Sequence, residues 1–286
     1  MRSRPLPRHA HAAPAPEKKE RNFLVSSISA IIIILLVNAI WPEVIPISST
    51  QVWTMRGTVM EWLTLSWPIF AWGGGFTFLA GLFRKMDYRE RQRHAGHAFL
   101  GGLVISLWAG VVEEVCFRWL LFLSGIATTI FTNWLMSGWV VLGLIGLFAF
   151  GIGAASKNGL IALFFGIAAP VLTYAMFGLP PHIPEFVYTN LMGPLVNWVT
   201  FGTLHDTLYH PAGFAVGASL IAANAFFRDG HKYQGIIGIV NSWCLGMFFF
   251  YLMLNYGLPA AILVHFLYDV VVFSTSALVL AWRNDL

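Results

Sequence analysis

GGLVISLWAGVVEEVCFRWLLFL, Gly101–Leu123, has the length and apolarity of a membrane-spanning helix, yet it carries Glu113 and Glu114 side by side, with Arg118 four residues on. A charged side chain near a bilayer centre costs several kcal/mol, so intramembrane carboxylates face protein or water, find partners and mark function. Glu114 and Arg118, at i and i+4, share one helix face and can pair. Glu113 is rotated about 100° from its neighbour and is free to point elsewhere. Two carboxylates in different environments can take different roles in proton chemistry. A purely structural Glu114–Arg118 lock explains that pair equally well.

The rest of the chain has the composition this stretch implies. Of 286 residues, 57% are hydrophobic and only 10% charged, and the mean hydropathy is +0.70. Soluble domains carry about a quarter charged residues. Apolar windows near the roughly 20 residues needed to cross a bilayer fall at Asn22–Trp41, Val59–Phe83, His97–Leu123, Gly138–Ala155, Asn158–Gly178, Phe186–Leu204, Ala212–Phe227, Gln234–Leu254 and Pro259–Trp282. The expected fold is all-α, a polytopic transmembrane helix bundle of eight or nine spans, in one membrane-embedded domain over 22–286 whose motif-bearing core is about 97–282.

Charge orients the first helices. Arg2, Arg4, Arg8, Lys18, Lys19 and Arg21 lie before the first window, and Arg84, Lys85, Arg89, Arg91 and Arg93 follow the second. The positive-inside rule puts both groups in the cytoplasm. The net charge of +4 is therefore a topology signal, and no nucleic-acid partner is expected. Residues 1–21, rich in Pro, Ala and His, read as a disordered basic cytoplasmic tail. Cys116 and Cys244 sit inside apolar windows without metal-type spacing and read as small buried hydrophobes.

Two further segments carry chemistry. In LVHFLYDVV, His265 and Asp269 stand at i and i+4 on one face of the last window. In FFRDGHKYQG, His231 follows Gly230, where the chain can bend and water can reach. Glu113, His231 and His265 together supply a carboxylate and two imidazoles, a set able to deprotonate water and stabilise an oxyanion or to bind a metal. His205 and His210 flank a loop and read as solvated.

EEVCFR, Phe227–His231 and His265–Asp269 resemble, in order, the E-E-x-x-x-R, F-x-x-x-H and H-x-x-x-N/D motifs of the CPBP (CAAX protease and bacteriocin-processing, or ABI) family of intramembrane endopeptidases. The stretch between the last two motifs, Gly238–Asp269, is also similar to that family's helix, short turn and final helix. The resemblance leaves the first hundred residues unassigned. The connection from Arg118 to Phe227 is longer than usual and has room for one or two extra helices. Phe201–His205 also fits F-x-x-x-H and would shorten that gap; Phe227–His231 is preferred for its downstream context.

The resemblance implies hydrolysis of a peptide bond in a membrane-associated peptide or protein, prenylated in the CAAX branch of the family, at a prokaryotic plasma membrane. Glu113 would activate water with help from His231, His265 would donate to the oxyanion with Asp269 beside it, and Arg118 would hold Glu114. A glutamate mechanism without cofactor is favoured. A divalent metal such as zinc, on Glu113, His231 and His265, is the alternative. Two other functions fit intramembrane Glu, His and Asp: a proton-coupled transporter, though no inverted repeat is visible, and a non-catalytic adaptor or immunity protein of the same architecture.

Overall fold

A computed structural model describes residues 46–83, 95–179 and 182–284, with isolated helical positions between 28 and 36. The basic tail, most of the first window and the basic stretch 84–93 lie outside the described residues, and the topology read from them is carried by sequence alone. Every described element is helical.

A short helix α1 (Ser49–Trp53) begins with a capping box, in which Gln51 N–H donates to Ser48 Oγ and Ser48 N–H to Gln51 Oε1. Helix α2 (Val59–Phe83) starts the same way. The Thr58 N–H donates to Glu61 Oε2 at 2.8 Å and the Glu61 N–H to Thr58 Oγ1. Helix α3 (Ala95–Glu114) runs on through a π-helical turn, Val115–Leu121, into α4 (Phe122–Leu135). Helices α5 (Gly138–Ala154) and α6 (Gly159–Phe177) form a hairpin. The window Phe186–Leu204 is helical only as far as Val199: α7 (Ile183–Val187) runs through a second π turn (Tyr188–Met192) into α8 (Gly193–Val199), and α9 (His205–Leu208) lies beyond. Then follow α10 (Phe214–Gly230), α11 (Gly235–Tyr256) and α12 (Leu258–Asn284).

Four of the described helices are long and apolar enough to cross a membrane: Phe99–Leu135, Gly159–Phe177, Gly235–Tyr256 and Leu258–Arg283. Gly138–Ala154 is a shorter apolar helix. The seventh window forms a 17-residue helix, α10, and the helical run from Ile183 ends at Val199, so both fall short of a spanning length among the described residues. The Gly159–Phe177 segment is only 6% buried within the protein. Its apolar surface needs an apolar solvent, which is the signature of a bilayer-facing helix.

The core lies where α4, α10, α11 and α12 converge. Phe122, Leu123 and Ile126 meet Leu220, Phe249, Phe250, Ala260, Ala261 and Val264, all fully buried. Helix α12 packs along α3 and α2, and α10 along α4 and α11. The turn from α11 to α12 is made by Gly257 at φ +94°, where a Cβ would also collide with the Thr54 carbonyl oxygen. Only glycine satisfies both demands.

Candidate active site

Helix α3 delivers Glu113 and Glu114 as its last two residues, and the π turn that follows carries Arg118. π turns are rare and gather at functional sites. Glu114 and Arg118 are both completely buried, with Arg118 Nη1 3.1 Å from Glu114 Oε1. The Arg118 Nη2 also donates to the Gly246 carbonyl at 3.4 Å. The guanidinium lies 4.1 Å above the Phe227 ring, with Phe250 and Phe249 at 5.3 and 5.5 Å. A buried guanidinium needs such a cage of carboxylate, carbonyl and ring faces, since an unpaired one would be prohibitively costly there.

The same Glu114 oxygen meets His265 Nδ1 at 2.8 Å. One carboxylate therefore joins the π turn to α12 as well as holding the arginine, a link that residue spacing did not reveal. The imidazole of His265 is stacked on Phe249 at 4.6 Å with an interplanar angle of 20°. With Nδ1 occupied, Nε2 faces the other two carboxylates, 4.0 Å from Glu113 Oε2 and 3.9 Å from Asp269 Oδ2. Both separations exceed hydrogen-bond length. The group that orients His265 is thus Glu114, with Asp269 alongside. Glu113 is part-exposed, while its Oε2 is buried and makes no hydrogen bond among the described residues.

His231 lies at a junction, closing α10 and standing immediately before the single 3-10 turn Lys232–Gln234 that leads to α11. Its Nδ1–H donates to the Phe227 carbonyl at 2.9 Å, one of the last carbonyls of that helix. A carbonyl can only accept, so Nδ1 carries a proton and Nε2 is the ring nitrogen left to exchange one. The His231 ring lies 4.8 Å from Phe227, whose ring in turn covers Arg118 and lies 6.1 Å from His265. Phe201 and His205 are placed very differently. Phe201 is 93% exposed, and the exposed His205 pairs with its neighbour Asp206 at 3.2 Å. Asp229, near His231, is part-exposed; hydrogen bonds from Lys232 and then Arg228 hold its carboxyl below the ordinary carboxylate range.

Among the described residues, no three His, Cys, Asp or Glu side chains gather as a metal-binding group. Glu113, His231 and His265 are thus not assembled as a zinc ligand set, and no step is derived through a metal. Cys116 is half-buried and Cys244 exposed, where both were expected to be buried.

Residue types also missed several members of the site. Phe249 stacks on His265 but is hidden in the run FFFYLM. Asn224 is completely buried in α10 and contacts α11; an amide inside an otherwise apolar window was the signal available for it. Comparison with family models, curated proteins and solved structures finds no match to this chain.

Proposed function

We propose that this chain is an intramembrane endopeptidase that hydrolyses a peptide bond of a membrane-associated peptide or protein with a glutamate-activated water. The observation that supports the reading best is the arrangement around His265. Its Nδ1 is held by the buried Glu114, and its Nε2 faces the Oε2 of Glu113, which is buried and unpartnered among the described residues although the side chain as a whole is part-exposed. A fixed imidazole opposite a carboxylate with an unused oxygen is the pairing that water activation and oxyanion stabilisation require.

In this mechanism the Glu113 carboxylate takes a proton from water as the oxygen attacks the scissile carbonyl carbon. The carbonyl electron pair moves onto its oxygen. His265 in its protonated form keeps Nδ1–H on Glu114 and donates Nε2–H to that oxyanion, with Asp269 beside the ring. Collapse of the tetrahedral intermediate re-forms the carbonyl and breaks the C–N bond, and the proton held by Glu113 passes to the leaving amine. His231, through Nε2, assists the first proton transfer. Arg118 keeps Glu114 in place.

In this reading the protein sits in a prokaryotic plasma membrane with a cytoplasmic N-terminus, and crosses it eight or nine times once the first window, α2 and the shorter helices are included. Prenylated substrates fit the resemblance to CAAX endopeptidases. The burial of Glu114 and Arg118, which tie the π turn to α11 and α12, favours a second reading, a non-catalytic adaptor that uses the same residues as a lock.

The test is cleavage of a library of lipidated and membrane-anchored peptides by the purified protein in nanodiscs, beside Glu113→Gln, each with and without a chelator. Cleavage by wild type that survives the chelator and disappears in Glu113→Gln is the expected result. Loss with chelator as well would place a metal in the reaction. Equal cleavage by both proteins would overturn the role of Glu113, and no cleavage by either favours the adaptor.

A further inference from the structure

Asn224 is the polar residue that the mechanism leaves without a role. It is completely buried in α10, one turn before Phe227. Its Nδ2 donates to the Trp243 carbonyl on α11 at 3.0 Å. Its Oδ1 is buried and has no hydrogen-bond partner among the described residues. A buried amide with one unused acceptor is costly, so its presence in an apolar helix calls for a reason.

The reason lies on α11. A Cβ at Gly246 would collide with Asn224 Oδ1 and come within 2.9 Å of Phe227 Cδ1. Asn224 therefore presses its amide onto the bare backbone of Gly246, three residues past the carbonyl to which it is bonded. Gly246 is also the residue whose carbonyl accepts from Arg118 Nη2. One contact thus sets the separation of α10 from α11, the height of the Phe227 ring against Arg118, and the position of the carbonyl that Arg118 uses.

We propose that Asn224 is a positioning residue of the site: its amide clamps α10 onto α11 over Gly246 and so holds Arg118, and through it Glu114 and His265, in register. This rests on the endopeptidase reading for its kinetic consequences but not for its structural ones. Loosening the clamp shifts Arg118, lets Glu114 follow it, and releases the Nδ1 hydrogen bond that points His265 Nε2 at Glu113. Displacements of about 1 Å at a reacting group cost up to a hundredfold in rate. Because the clamp touches no substrate, the loss falls on kcat and leaves KM nearly unchanged.

The test is a double-mutant cycle of Asn224→Ala and Gly246→Ala in the full chain in nanodiscs, read by peptide cleavage and by nitrogen NMR of labelled histidine, with the His265 signal assigned from its loss in His265→Gln. Each single variant is expected to lose about tenfold or more in kcat and to shift or broaden the His265 ring signal, while the exposed His205 keeps its own. Gly246→Ala should cost clearly less once Asn224 is Ala than in wild type, because the new methyl then meets only the Phe227 ring and no longer the amide, and such coupling marks two groups in contact. Additive losses, a fall in KM-dependent binding alone, or an unmoved His265 signal in both single variants would overturn the clamp. If wild type cleaves nothing, the endopeptidase reading fails by itself and the His265 signal alone decides the clamp.

Discussion

Glu114 and His265 lie 151 positions apart in the chain and share a 2.8 Å hydrogen bond inside the bundle. The π turn after Glu114 and the short Gly257 turn before α12 together bring them into contact. Glu114 also holds Arg118, so a single oxygen carries two partners and fixes elements from both ends of the motif-bearing region.

Replacing Glu114 should therefore harm folding as much as chemistry. Glu114→Ala leaves Arg118 buried without its counter-charge, and removing one partner of a buried pair costs on the order of 3–5 kcal/mol. Thermal unfolding of the purified variant in detergent should show a clearly lowered midpoint. Glu113→Gln, at a part-exposed group outside that pair, should unfold like wild type.

Phe227 should matter where Phe201 does not. Phe227→Leu keeps much of the volume but removes the aromatic face 4.1 Å from Arg118, a contact worth about 0.5–2 kcal/mol. Stability and cleavage should both fall. Phe201→Leu, at a 93% exposed position, should change neither. The matching histidine pair gives the same contrast, with His231→Ala losing cleavage and His205→Ala keeping it in the nanodisc assay.

The α11–α12 turn should accept no side chain. At Gly257, φ is +94° and the Thr54 carbonyl occupies the Cβ position. Gly257→Ala is expected to cost about 1–3 kcal/mol, the usual penalty for forcing a side chain into such a conformation, and more if the Thr54 segment cannot yield. An unchanged unfolding midpoint would contradict the turn geometry.

His210, between α9 and α10, gives a dependence on pH. Burial pushes its imidazole below the ordinary value, and its Nδ1 accepts from the Ala212 N–H at 3.1 Å, which requires the neutral ring. The unfolded chain binds this proton more readily than the folded one. Stability from this residue is thus full above about pH 6.5, the ordinary imidazole value, and is lost as pH falls below it. His210→Gln should flatten that part of a stability-versus-pH curve measured beside wild type.

Much of this was legible in the chain itself. The carboxylates at 113 and 114 stood out because an apolar window has no reason to hold them, and helical spacing correctly placed Arg118 against Glu114. Spacing within one helix says nothing, however, about which distant helix arrives opposite. The sharing of Glu114 by His265 depends on packing between α3 and α12 that no local pattern encodes. Helix ends were legible only coarsely for a related reason: hydropathy windows register apolarity without backbone geometry, and the window drawn to Leu204 is helical only to Val199. Phe249 and Gly246 could not be singled out, since their roles lie in ring stacking and in the absence of a side chain, and both residue types are abundant in this chain.

The most direct measurement of the central claim is the rate of peptide cleavage by Glu113→Gln relative to wild type in the same nanodiscs, with the unfolding midpoint recorded on both samples. The expected result is a rate reduced by a hundredfold or more, about what loss of a positioned general base produces, at an unchanged midpoint. A Glu113→Gln protein that is folded and cleaves at the wild-type rate would contradict it.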